Sequence, residues 1–144
     1  DYSMMDIKNK EFIEEADLVL VNPIRSNKVG IFTLASYVRS KGYKVAIIDG
    51  MPRDIIIALG KLNSVKVLGF TALTCDMEFV NQLCKYAKDR FPNVLTILGG
   101  YHATAMPERT MEETDFDILV TGEGEITLLN ILEGYKIALD HIGV

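Results

Sequence analysis

Five short apolar runs recur along the chain, Asp17–Asn22, Lys44–Asp49, Lys66–Thr71, Val94–Leu98 and Asp117–Val120, and each is followed by a helical pattern. Runs such as Val45-Ala46-Ile47-Ile48 show no polar alternation, so both faces of each strand need cover. Strands of that kind belong in a parallel sheet, whose crossovers lay helices on both sides. The intervening segments supply those helices. Ile31, Leu34, Ala35 and Val38 share one helical face that ends at Lys41-Gly42, a basic last turn with a glycine cap. Arg53–Leu62 reads as a short helix and Asp76–Phe91 as a long one with a buried stripe of Met77, Val80, Leu83, Cys84, Ala87 and Phe91. Pro107–Thr114 is a short helix opened by proline, and Gly124–Leu132 is the last helix. Strict alternation of five strands and five helices predicts an α/β fold, a doubly wound five-stranded parallel sheet in a flavodoxin-like (Rossmann-like) three-layer sandwich.

A length of 144 residues suits one compact domain. With 15 Lys+Arg against 20 Asp+Glu, a net charge of -5 and no basic run, a broad nucleic-acid-binding face is excluded. No apolar run approaches the roughly 18 residues of a membrane span, and the polar, acidic Asp1–Ala16 stretch is no signal peptide. The expectation is a soluble cytoplasmic protein with no nucleic-acid or membrane partner. Residues 1–16 read as an N-terminal extension, and Asp1–Met5 are set aside from the fold as cloning residue. Cys75 and Cys84, nine positions apart, make neither a CxxC pair nor, with two histidines, a zinc site, which fits a reducing compartment.

In doubly wound sheets ligands bind beyond the carboxyl ends of the strands, where strand order reverses. Strands one, three, four and five bring Asn22, Thr71, Gly99 and Gly122 to that edge. Two of these ends are glycine clusters, Gly99-Gly100 and Gly122-Glu123-Gly124. Glycine lets backbone pass close to a bulky ligand and adopt positive φ. A phospho-acceptor site would need a carboxylate cluster near strand one, where Asn22-Pro23 stands instead. The following loop, 23–30, lacks both GxGxxG and a hydroxyl- and glycine-rich phosphate loop, and GxSxG is absent throughout.

Three loops resemble those of cobalamin-binding domains, and especially the N-terminal domain of cobalamin-binding radical S-adenosylmethionine (SAM) enzymes. Thr71-Ala72-Leu73 stands where that family carries SxL, and Gly99-Gly100 where it carries a glycine pair. The radical-enzyme subgroup adds an Asn-Pro start like Asn22-Pro23, a segment like Gly99-Gly100-Tyr101-His102-Ala103-Thr104, and a GEGE segment like Gly122 to Glu125. The resemblance covers about Asp17 to Leu132. It implies that Thr71, Ala72, Leu73, Thr74, Gly99, Gly100, Tyr101 and His102 line a slot for the dimethylbenzimidazole tail of cobalamin, with Asn22, Pro23, Ile24, Gly122, Glu123 and Gly124 on the same cofactor edge. Where the wider family has the DxHxxG aspartate and metal-binding histidine, this chain has Asn22-Pro23-Ile24. Cobalamin would then be base-off, with no metal ligand from the chain.

A radical SAM enzyme also holds a 4Fe–4S cluster on three cysteines, for which two distant cysteines do not suffice. By the resemblance, residues 17–134 form the cobalamin-binding module, and 135–144 lead toward a radical SAM domain of the same parent chain. The cluster and S-adenosylmethionine would be bound by that partner. The fragment alone is expected to catalyse nothing, its parent being a methyltransferase or related enzyme. Two other readings stay open: a degenerate module that binds no cobalamin and serves docking or substrate recognition, and a flavodoxin-type enzyme, disfavoured by its missing phosphate loop. Cys84 falls on a core stripe, and Glu123 and Glu125 suit the dipole at the start of the last helix better than acid/base chemistry.

Overall fold

The computed structural model describes residues 7–22, 28–71, 77–99, 112–120 and 124–141. The elements are α1 (Ile7–Glu15), β1 (Leu18–Asn22), α2 (Lys28–Ser40), β2 (Val45–Asp49), α3 (Pro52–Lys61), β3 (Val67–Thr71), α4 (Met77–Arg90), β4 (Leu95–Gly99), β5 (Ile118–Leu119) and α5 (Glu125–His141). All strand pairs are parallel, and their spatial order is β2-β1-β3-β4-β5. The expected doubly wound, flavodoxin-like sheet is therefore present, and order reverses at β1, which has β2 on one side and β3 on the other.

Successive strand residues enter opposite layers, which is why the runs carry no polar alternation. Val19, Val21, Ala46, Ile48, Leu68, Phe70 and Leu98 pack with residues of α1, α3 and α4. Leu18, Leu20, Val45, Val67 and Ile97 pack with Ile31, Ala35 and Val38 of α2 and Leu128 and Leu132 of α5. Phe70 meets Phe116 edge to face at 5.4 Å, closing the first layer beside β5. The α4 stripe is as the spacing predicts: Val80, Leu83, Cys84, Ala87 and Phe91 are buried, with Met77 packed against them. Gly42 ends α2 with φ 94°, the left-handed geometry a glycine cap supplies.

The structure departs from the sequence expectation at both ends. The N-terminal extension contains helix α1, fixed by buried Ile13 and Ala16 and by the Glu14 carboxylate, which accepts the Asn63 backbone N–H. Two apolar anchors in a polar stretch are too few to give a helical stripe. The last helix runs to His141 rather than ending at Leu132. Gly134, a residue that costs a helix about 1 kcal/mol relative to alanine, does not stop it, and Tyr135 packs against the core just beyond. The helix expected at Pro107–Thr114 lies outside the described residues apart from 112–114.

Candidate functional site

The carboxyl edge is built by strand register. Val21 faces Phe70, and Thr71 faces Gly99, so Asn22, Thr71 and Gly99 end three adjacent strands at one level. The Val120 N–H donates to the Leu98 carbonyl at 2.8 Å and brings the end of β5 alongside. Asn22 is only 2% exposed, a buried amide at the strand where order reverses. Its other neighbour is Asp49, its register partner on β2, a residue the sequence reading did not assign to this edge. The acidic end of the second run was the available signal.

Gly99 reveals what the edge asks of its residues. A Cβ built there would meet only Val120 among the described residues, its carbonyl oxygen at 3.8 Å and its Cβ at 3.9 Å, which is ordinary contact. The backbone at 99 is not in the positive-φ region, which among the described glycines is occupied by Gly42 and Gly50. Neither conformation nor packing against the described residues requires glycine at 99. The expectation of positive φ fails for this residue. Gly124 likewise has ordinary φ, and a Cβ there would touch Val120 Cγ1 at 3.6 Å at the start of α5. Pro23, Ile24, Ala72, Leu73, Thr74, Gly100, Tyr101, His102, Gly122 and Glu123, also assigned to the edge, lie outside the described residues.

The opposite edge holds the polar network that sequence reasoning missed. Asp117, just before β5, accepts from the backbone N–H and the hydroxyl of Thr96 through Oδ2, at 2.9 and 3.0 Å. Its Oδ1 accepts from Lys88 Nζ at 2.7 Å. Burial alone would raise the Asp117 carboxyl, but the hydrogen bonds from Lys88 and Thr96 outweigh it and hold the group below the usual carboxylate range. The bond to Asp117 in turn raises Lys88 above its ordinary value. Cys84 sits beside Thr96, and burial pushes its thiol up to about 11, so it is a protonated core residue. Among the described residues no three His, Cys, Asp or Glu side chains gather as a metal site, and no helix is long and apolar enough to cross a membrane.

Comparison with known proteins gives the fold its relatives. Residues 18–132 match the B12 binding domain family. An uncharacterised methyltransferase of Pyrococcus horikoshii is 36% identical over 110 residues, covering 73% of this chain and 24% of that protein. An anaerobic magnesium-protoporphyrin IX monomethyl ester cyclase of Rubrivivax gelatinosus is 32% identical over 105 residues, 69% of this chain and 19% of the other. Among solved structures, the radical S-adenosylmethionine methyltransferase TsrM of Kitasatospora setae superposes with a TM-score of 0.75 at 17% identity, over 84% of this chain and 26% of that one. The cobalamin-dependent S-adenosylmethionine radical enzyme OxsB, solved with aqua-cobalamin bound, gives 0.68 at 21% identity, over 90% and 20%. The chain spans about a quarter or less of the length of these proteins.

Proposed function

The chain belongs to the B12-binding domain family, and from that premise we propose that it holds cobalamin, base-off, at the carboxyl edge of its sheet as one module of a radical SAM methyltransferase. The observation that carries this reading is the alignment of Asn22, Thr71 and Gly99 at one level, with room above Gly99 that the described chain does not use. That edge fits a large, flat cofactor bearing a nucleotide tail. The ends of β1, β3 and β4 at Asn22, Thr71 and Gly99 would form the floor of the site, and the loops carrying Ala72–Thr74, Gly100–His102 and Gly122–Gly124 would complete the slot. Bound cobalamin supplies methyl-group transfer at its cobalt.

The absence of a cobalt ligand from the chain is argued from the placement of its imidazoles. The chain has two histidines, His102 and His141, and neither follows β1. His141 ends α5, a helix that starts at the carboxyl edge and runs about 25 Å away from it. The work of the chain itself is to bind, orient and shield the cofactor. The radical SAM domain, its 4Fe–4S cluster and S-adenosylmethionine belong to the remainder of the parent polypeptide, reached through 135–144. A reducing, cytoplasmic setting goes with such a cluster.

Titration of the purified chain with hydroxocobalamin, followed by gel filtration and an absorption spectrum of the protein fraction, tests the reading. Co-elution with a base-off spectrum is the expected result. A base-on spectrum overturns the base-off assignment, a histidine-ligated one overturns the absence of a protein ligand, and absence of retained colour favours a docking module that has lost the cofactor.

A further inference from the structure

Helix α5 gathers its Glu125, Glu133, Lys136 and Asp140 on one strip, so that the remainder of its circumference carries no Asp, Glu, Lys or Arg. Leu128 and Leu132 are buried toward the sheet, with Ile131 and Tyr135 packed beside them. At helical spacing on the opposite side stand Ile126, Thr127, Asn130, Gly134, Ile137 and Ala138, all exposed and none charged. Ile126 and Ile137, 66% and 59% exposed, are the most exposed large apolar side chains among the described residues. Gly134 weakens the helix that contains it, and a Cβ built there would meet nothing within 4 Å. Nothing in the described chain accounts for that glycine, whereas close approach of another backbone would.

Length argues for the occupant. The chain is about a quarter or less of its relatives, so most of such a polypeptide lies outside it. We propose that the outer stripe of α5 seats an apolar helix from the part of the parent polypeptide beyond this module, with Gly134 and Ala138 at the closest approach and Ile126 and Ile137 packing to either side. The inference rests on the reading that the module belongs to a longer enzyme. It adds a second contact surface, because the stripe faces away from the sheet and runs roughly 17 Å down its length from the carboxyl edge.

Hydroxyl-radical footprinting of the full-length parent and of the 144-residue chain tests it, with exposed Phe12 as the internal reference. Modification of Ile126 and Ile137 relative to Phe12 should fall at least about fivefold in the parent, as expected for side chains taken into a packed interface. Gly134→Leu should leave the melting temperature and cobalamin retention of the 144-residue chain unchanged or improved, yet restore labelling of both isoleucines in the parent. Equal labelling in the two proteins overturns the proposal. So does sedimentation of the 144-residue chain as a dimer with the stripe already protected, which makes a second copy the occupant. Loss of the cobalamin reading is scored separately: a parent without cobalamin absorption but with a protected stripe refutes the cofactor assignment and leaves the seat intact.

Discussion

The two edges of the sheet are made of similar residues and used in opposite ways. At the amino edge, polar groups are consumed by the chain itself. Asp17 accepts the Lys44 N–H at 2.8 Å, Asp117 ties Thr96 to Lys88, and the Arg90 guanidinium donates to the carbonyls of Leu59 and Leu62. At the carboxyl edge, the strands end in a buried amide at Asn22 and a glycine at 99 that packing against the described residues does not require. Titratable groups with shifted pKa values therefore mark structure here, at the amino edge, although such shifts elsewhere are used to find active sites.

The contrast predicts a separation of stability from binding, and the largest effect should come from the open edge. Gly99→Leu places a side chain where, among the described residues, only ordinary contact with Val120 awaits it, so the melting temperature should move little. Cobalamin affinity should fall by about 100-fold or more, roughly 3 kcal/mol, because the added atoms would occupy the proposed tail slot. Titration and thermal melting of the same sample read both quantities. Undiminished affinity would remove the slot from β4.

Asp117→Ala should show the reverse pattern. It strands the Thr96 N–H and takes away the acceptor of the Thr96 hydroxyl, which keeps only the bond it accepts from the backbone N–H of residue 117, and it frees Lys88. Urea denaturation should report a loss of about 2 kcal/mol with cobalamin retention unchanged. The sign of the pH dependence follows from the depressed carboxyl. Its stabilising contribution is complete above the unfolded-state value near pH 4 and is lost as pH falls through the lower folded-state value, a loss the alanine variant should not share.

The closed edge and the core were only partly legible in the sequence. Periodicity exposes residues such as Val80 and Leu83 because they repeat at helical spacing, and it gave the sheet and its layers. Asp117 and Thr96 meet although they stand 21 residues apart in the chain, a pairing that no local pattern encodes. The open edge was legible as glycine clusters after strands, but the reason for Gly99 had to come from space and register, since its backbone is ordinary. Helix α1 and the end of α5 escaped because Ile13 and Ala16, or Tyr135 alone, are too sparse to make a stripe.

Cys84 sharpens the comparison by a smaller margin. Its thiol titrates at about 11 in the folded protein, above its usual value, so the protonated form is favoured by folding. The contribution is therefore full below the unfolded-state value near pH 8.5 to 9 and is lost as pH rises toward about 11. Stability measured by urea from pH 8 to 11 should decline more steeply for the native chain than for Cys84→Ala. Parallel curves would mean that the thiol meets water in the folded state, contrary to its burial.

The smallest effect should come from Arg90→Lys. The guanidinium donates from Nε to the carbonyls of Leu59 and Leu62 and from Nη2 to Leu62, the last at 2.7 Å, so it closes the end of α3 with a fork that an ammonium cannot reproduce. The side chain stands at the surface, and the loss should be about 1 kcal/mol by urea denaturation. Cobalamin titration of the same variant carries the sharper information. The carboxyl edge lies a full strand length away, so affinity should match that of the native chain. A parallel fall in affinity would mean that α3 transmits strain along the sheet, and that the closed edge holds the open one in its binding geometry.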